Sequence, residues 1–184
     1  MVLLVPTAAT ILTEIIKGLR KNSETFSAKI VRSCLDGYKE KKTNIVKAVD
    51  DCIDEAMQYL NPGLSNVADD FSKSLESKVP SIRVCAAKVL TRFDFKNGCN
   101  KQTVKLVLTA LCATCDASQA DVREAAMEAI ACAKGKLAKM GGLIDICMAE
   151  AAKKGLKDPK KVEKINQLAE GFKKTSKSSK GRFS

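Results

Sequence analysis

The clearest periodic pattern of apolar and polar positions lies between residues 116 and 137. Its apolar residues recur at spacings of three and four, which is the spacing of one face of an α-helix. They are Val122, Ala126, Ile130, Ala133 and Leu137. Further alanines keep the rest of this helix thin, so neighbouring helices can approach it closely. Ser118 stands just before the periodic run and is predicted to cap the helix N-terminus.

The same pattern predicts helices along the whole chain, arranged as pairs joined by short turns. They are predicted over residues 7–20, 23–38, 43–60, 65–77, 80–93, 101–115, 118–137, 143–154 and 159–172. Ser23 is predicted to cap the second helix, and Pro80 fits the first turn of the fifth. The first helix is expected to be half of an incomplete pair, with Ala8, Ile11, Leu12, Ile15 and Leu19 facing inward.

The first helices of successive pairs begin near residues 24, 65, 101 and 142, a repeat of about 40 residues. Two helices per repeat of this length are typical of HEAT and armadillo proteins. We therefore predict an all-α fold, an α-solenoid of stacked HEAT-type helix pairs. No run of alternating β-branched residues predicts a sheet.

Composition adds to this picture through the cysteines and the aromatic residues. Aromatic residues make up 4% of the chain and Trp is absent, so small aliphatic side chains must fill the core. Most of the eight cysteines fall on apolar helix faces, which predicts free thiols in a reducing compartment. Cys112 and Cys115 form a C-x-x-C spacing, but the chain has no histidine, so a core position is favoured over a metal site. No cofactor is expected.

The net charge of +11 is concentrated near the C-terminus. Residues 153–184 carry 11 Lys+Arg against 3 Asp+Glu, whereas residues 1–152 carry 21 against 18. We predict a solenoid over residues 1–172 and a disordered, Ser/Lys-rich basic tail over residues 173–184. The nearly balanced body and the scarce aromatics make nucleic-acid binding unlikely as a function.

Basic residues cluster in the turns inside the helix pairs, which stacking would align along one edge. Such a stripe favours an acidic protein partner. Arg123 lies in a first helical turn, where a cation opposes the helix dipole, so it could bind a partner carboxylate or form a salt bridge within the chain. Lys41 and Lys42 could likewise contact a partner or only solvent.

Four segments, taken in order, resemble TOG domains, the HEAT-repeat tubulin-binding modules of microtubule polymerases and CLASP-type regulators. They are residues 39–46, 79–83, 116–126 and 157–165. The resemblance implies that the intra-pair turns bind tubulin. The candidate residues for this contact are the basic residues of these turns together with Pro80: Lys39, Lys41, Lys42, Lys78, Pro80, Arg83, Arg123, Lys157 and Lys160. It also implies that the chain starts within the family's second repeat, without the first repeat and its tryptophan.

These observations favour a cytoplasmic, cytoskeletal binding protein that works as a monomer and is not an enzyme. No phosphate-binding glycine loop or Ser/His/Asp set is present. The acidic residues at 50, 51, 54 and 55 are expected on a solvated helix face, with metal or acid–base roles as the alternative. No signal peptide or membrane span is predicted. The competing function is a HEAT scaffold or adaptor for another acidic protein.

Overall fold

The computed structural model describes residues 4–40, 42–60, 62–93, 95, 99–137, 141–154 and 158–178. Within these ranges the regular structure is helical, and no described residue lies in a β-strand. The α-helices are α1 (Leu4–Leu19), α2 (Ser27–Gly37), α3 (Thr43–Tyr59), α4 (Ala68–Leu75), α5 (Pro80–Arg92), α6 (Lys101–Thr114), α7 (Ala120–Lys136), α8 (Gly141–Lys154) and α9 (Pro159–Ser178). Short 3-10 helices, Arg20–Phe26 and Leu64–Asn66, precede α2 and α4.

The helices form the two layers of a solenoid, as the repeat predicted. Helices α1, α3, α5, α7 and α9 make one layer, and α2, α4, α6 and α8 make the other. Polar contacts at both ends show that α4 and α6 run parallel. Ser65 and Thr103 hydroxyls lie 3.2 Å apart near the helix starts, and the Thr114 hydroxyl donates to the Leu75 carbonyl (3.4 Å) at the ends. The all-α HEAT solenoid is confirmed.

Many polar contacts between helices reach across one repeat. The Ser65–Thr103 and Thr114–Leu75 contacts span 38 and 39 residues. Lys136 donates to the Phe93 carbonyl 43 residues before it, and Lys161 to the Cys115 carbonyl 46 residues before it. Each helix pair is thus joined to its immediate neighbour, as expected of a quasi-one-dimensional fold.

Helix α7 is the centre of the packing, because it contacts α5, α6 and α9. The five residues of its predicted stripe are all buried, and so are Ala125, Ala129, Ala131 and Cys132 on its other sides. Gly135 allows the closest approach. A Cβ built there would lie 2.6 Å from the Phe172 Cβ and 3.1 Å from the Ala169 carbonyl oxygen of α9. Small residues on several faces are therefore what lets three helices pack around α7.

Two predicted N-caps are wrong, whereas Pro80 does occupy the first turn of α5. Gln119 holds the cap position of α7, and its side chain makes no capping bond. The Ser118 carbonyl instead accepts from Arg123 (2.6 Å), which holds Ser118 in the preceding turn. Ser23 lies within the 3-10 helix, and α2 begins four residues later at Ser27.

The inward face predicted for α1 is also wrong, except at Leu12, which is half-buried and packs against the core. Ala9, Thr13 and Ile16 are the buried residues of α1, whereas Ile11, Ile15 and Leu19 are 56%, 46% and 50% exposed. The helix is apolar on two faces, and α3 covers only one of them. The covered face includes Thr13, whose hydroxyl is satisfied by the Ala9 carbonyl (2.8 Å).

At the other end, α9 continues to Ser178 and does not end at Phe172 as predicted. Residues 173–178 contain three lysines and neither glycine nor proline, so nothing in their composition stops the helix. Residues 179–184 lie outside the described part. The division into a solenoid over 1–172 and a tail over 173–184 stays a prediction.

Candidate partner-binding edge

The turns inside the four helix pairs lie on one side of the solenoid, which we call the intra-pair edge. It comprises the described residues 38–40, 42, 76–79 and 115–119 and the start of α9 at 158–161. Direct contacts align three of these turns. Thr114 bonds to Leu75 at the end of α4, and Lys161 bonds to Asp116 (2.7 Å) in the next turn. Parallel stacking of consecutive pairs therefore produces the edge.

The first turn is fixed from inside by Tyr38, whose buried hydroxyl donates to Asp50 (2.6 Å). Lys39 is exposed and bonds to Asp36 (2.7 Å), one helical turn earlier. Lys42 holds the cap position of α3, where its carbonyl accepts from the amides of Ile45 and Val46, and its side chain is exposed. Lys41 lies outside the described residues.

The second turn brings Lys78, Pro80 and Arg83 together. Lys78 is exposed and makes no ion pair with any described residue. Pro80 is half-buried and starts α5, where a missing amide proton costs nothing. The Arg83 Nε is buried and has no hydrogen-bond partner among the described atoms. Arg83 is thus held partly inside the turn with unused donor capacity.

In the third turn, Arg123 is bound to the chain itself. Its Nη1 donates to the carbonyls of Ala117 (2.9 Å) and Ser118 (2.6 Å), so neither Asp116 nor Asp121 is its partner. These two carbonyls stabilise the guanidinium and so offset its unfavourable interaction with the dipole at the N-terminus of α7. The Nη2 and Nε atoms of this half-buried guanidinium make no hydrogen bond with the described residues.

The fourth turn contains one free and one paired lysine. Asp158 caps α9 by accepting from the Lys160 amide (2.9 Å), and the Lys160 side chain is exposed. Lys161 is half-buried and donates to both the Cys115 carbonyl (3.0 Å) and Asp116 (2.7 Å). Lys161 therefore joins two repeats. Lys157 lies outside the described residues.

Among the described residues, Lys42, Lys78 and Lys160 are the predicted site residues whose ammonium groups are exposed and unpaired. They come from three different turns of the intra-pair edge. Lys39 and Arg123 are already bound locally, and Arg83 is partly enclosed. The edge thus presents separate positive charges on its turns. Hydrogen bonds within the chain hold these turns in place.

Two features of this region could not be predicted from sequence spacing. Asp50, expected on a solvated face, is part-buried between the Tyr38 hydroxyl and Arg92 (3.1 Å). Arg92 also pairs with Asp54 (3.0 Å), so these carboxylates hold α3 to α5. The Lys161–Asp116 pair was missed because its partners are 45 residues apart.

The described residues offer no alternative chemistry at this edge. Cys112 and Cys115 are buried as predicted, and burial raises the pKa of each thiol to about 12. No group of His, Cys, Asp or Glu within the described ranges could hold a metal ion. None of the described helices is long and apolar enough to cross a membrane.

Curated proteins that are similar to this chain in sequence include the following two. Protein mini spindles of Drosophila melanogaster is 31% identical over 175 residues, which is 92% of this chain and 8% of that protein. Phosphoprotein p93 of Schizosaccharomyces pombe is 27% identical over 114 residues, 61% of this chain and 13% of that protein. The chain thus spans only a small part of each. No protein-family model matches it.

A solved structure shares the fold. It was described as the structural basis of microtubule plus-end tracking by XMAP215, CLIP-170 and EB1. It superposes with a TM-score of 0.75 at 27% identity, and the match covers 93% of this chain and 68% of that one. The match therefore extends over nearly the whole chain.

Proposed function

This chain belongs to the TOG domain family, and we propose on that basis that it binds tubulin through the intra-pair edge and so helps to regulate microtubule growth. One observation carries the proposal. Three exposed lysines with no partner among the described residues, Lys42, Lys78 and Lys160, stand on three of the four turns of a fold shared with a microtubule plus-end tracking structure. Positive charges spaced in this way favour association with an acidic surface such as that of tubulin.

The supporting residues have distinct roles in this proposal. Lys39, Lys41, Lys42, Lys78, Lys157 and Lys160 supply positive charge. Pro80 keeps its turn rigid and offers an apolar contact. Arg83 adds positive charge from within its turn, since its Nε is buried. Arg123 presents donors toward a carboxylate, and a guanidinium suits that geometry better than an ammonium does.

We infer further that the domain is a binding module, not an enzyme, and that it acts without a cofactor on the cytoplasmic microtubule cytoskeleton. The similar proteins are named for spindles and for microtubule plus-end tracking, which supports a structural role. The activity of any longer protein that contains this domain is a proposal of the same kind.

The decisive experiment compares two triple variants in gel filtration with purified tubulin. Lys42→Glu/Lys78→Glu/Lys160→Glu reverses the three free charges of the edge. Lys21→Glu/Lys88→Glu/Lys101→Glu makes the same change in net charge at exposed lysines elsewhere. We expect the edge variant to lose co-elution at physiological salt and the control variant to retain it.

Equal losses in the two variants would mean that net charge alone governs binding and would reject the edge. Absence of a complex with the unchanged domain would favour a HEAT adaptor for another acidic protein. Circular dichroism melting of all three proteins confirms that folding is comparable, which is expected because the substituted side chains are exposed.

We propose that the basic residues of 173–184 add electrostatic attraction to acidic surfaces such as microtubules without adding specificity. This segment has five Lys+Arg and no acidic residue. Replacing these five by Gln should weaken microtubule co-sedimentation at low salt and change little at high salt, since exposed charges are screened over about 8 Å at physiological ionic strength. Unchanged sedimentation at low salt would reject this role.

A further inference from the structure

A surface groove where α1 and α3 end carries positive charge that the intra-pair edge does not use. It has a volume of about 550 Å³, and its lining includes Leu19, Arg20, Lys21, Asn22, Gln58 and Tyr59. The lining contains two cations and two amides, and none of its residues is acidic. Four of these polar side chains are exposed, and Tyr59 is half-buried. The groove is thus a basic surface with several groups that can form hydrogen bonds.

The groove lies on the opposite side of the solenoid from the intra-pair edge. Helices α1 and α3 run parallel, because Lys17 pairs with Glu55 (3.8 Å) and, one turn further along both helices, Arg20 lies over the Tyr59 ring. Helix α3 has 17 residues and is therefore about 25 Å long. The intra-pair turn precedes its first residue, and Tyr59 is its last. A partner bound at the intra-pair edge therefore leaves the groove accessible.

Arg20 has a backbone conformation that is unfavourable for any residue with a side chain. Its φ is 47°, and among the described residues other than glycine it is the one with a positive φ. Glycine is the usual residue in this left-handed conformation directly after a helix, because a Cβ is strained there. Strained residues of this kind cluster at functional sites. An arginine at this position therefore indicates a use for the side chain that offsets the strain.

Contact with Tyr59 orders the Arg20 side chain beside an exposed apolar surface. The guanidinium carbon lies 5.5 Å from the centre of the ring, which is a cation–π distance. A side chain restricted in this way loses less conformational entropy when it binds a carboxylate. Leu19 in the groove is 50% exposed, and Ile15, one helical turn earlier on the same face of α1, is 46% exposed. Positive charge and aliphatic side chains thus lie side by side.

We propose that this groove binds a short acidic and apolar segment of a second protein partner, different from the partner of the intra-pair edge. A carboxylate of the segment pairs with the Arg20 guanidinium, and Lys21 adds electrostatic attraction. The amides of Asn22 and Gln58 hydrogen-bond to its backbone, and its apolar side chains cover Leu19. Two cations beside an aliphatic surface suit a peptide better than a nucleic acid, whose phosphates are bound by many cations.

The test is fluorescence anisotropy of a fluorescein-labelled peptide, Glu-Glu-Leu-Glu-Glu-Leu, titrated with the full chain at physiological salt. We expect saturable binding, and clearly weaker binding of matched peptides with Gln in place of Glu or Ser in place of Leu. Arg20→Gly should weaken binding by roughly tenfold, because a hydrogen bond between charged groups is lost. Its melting temperature should stay equal or rise, since glycine relieves the strain. Lys88→Gln removes one charge at an exposed position elsewhere and should bind fully.

Lys21→Gln tests the groove without altering the strained residue and should also weaken binding. Full binding by Arg20→Gly and Lys21→Gln would overturn the proposal, and a lower melting temperature of Arg20→Gly would then show that Arg20 only braces α1 against α3. An equal loss in Lys88→Gln would mean that net charge alone attracts the peptide. Displacement of the peptide by an equal concentration of inorganic phosphate or single-stranded DNA would reject a peptide partner. Tubulin binding at the intra-pair edge is measured separately, so either proposal can fail without the other.

Discussion

At the residue scale, the buried polar groups near the first turn form one connected network. The Tyr38 hydroxyl and Arg92 both bond to Asp50, and Arg92 also pairs with Asp54. Without Asp50, the buried Tyr38 hydroxyl would lack a hydrogen-bond partner, and an unpaired buried hydroxyl costs free energy. It links α3 and α5 to Tyr38, the residue before Lys39.

Tyr38→Phe should therefore lower the free energy of unfolding by about 1–2 kcal/mol at pH 7. It should also change the dependence on pH. Burial, together with the bond to Asp50, raises the pKa of Tyr38, so the phenolate forms more readily in the unfolded chain. Stability from this group is present below the ordinary pKa of about 10 and is lost above it. Urea unfolding from pH 8 to 11 should show a steeper decline in the unchanged protein than in the variant.

Substitutions of Arg123 can separate its contribution to folding stability from its contribution to partner binding. Arg123→Ala removes two bonds to carbonyls and should lower the free energy of unfolding by about 1 kcal/mol. Arg123→Lys can keep one ammonium on those carbonyls, so it should melt close to the unchanged protein. We expect both variants to bind tubulin more weakly, by about 1–3 kcal/mol for Ala. Full binding by the Lys variant would show that Arg123 only supports its turn.

At the element scale, the sequence predicts helix existence and pairing well but does not decide which apolar face is covered. The stripe of α7 is correct because α7 has neighbours on several sides, so any apolar face is buried. Helix α1 has two apolar faces, and the one with Ile11 and Ile15 looks stronger by hydrophobicity alone. Contact with α3, a long-range fact, selects the face with Ala9 and Ile16.

At the candidate edge, too, the sequence predicts some features and only long-range contacts decide others. The positions of its turns follow from the repeat, so the sequence predicts Lys42 and Lys78 near turns and Lys160 near the start of α9. Which cations are already neutralised depends on partners in the next repeat, as for Lys161, or on carbonyls of a turn, as for Arg123. Local spacing carries no information about such contacts.

The approach of α9 to α7 at Gly135 gives a prediction for these two elements. Gly135→Ala should destabilise the domain by about 1–3 kcal/mol, because the new Cβ meets the α9 backbone, which cannot move independently. Gly171→Ala is the matched control in α9. No atom lies within 4 Å of a Cβ built there, so it should be neutral or stabilise by up to about 1 kcal/mol. Thermal melting measures both, and equal melting temperatures would show that the two helices separate freely.

At the scale of the whole molecule, protection should be uneven along the stack. Helix α7 is buried on several sides, whereas α1 exposes Ile11, Ile15 and Leu19. Hydrogen exchange should therefore be faster in Leu4–Leu19 than in Ala120–Lys136, since local opening costs less where fewer apolar contacts are lost. Equal protection of the two helices would contradict this gradient.

The contacts that reach back by one repeat also determine how the domain responds to force. Lys136 on Phe93 and Lys161 on Cys115 each join one helix pair to its predecessor. A load applied to the two ends of the chain passes through these junctions in series, so each junction carries the full tension. Under an optical trap the domain should extend in separate steps, each releasing about 40 residues or roughly 14 nm of chain. A folded module of this kind would lengthen stepwise when pulled and absorb mechanical work before it unravelled completely.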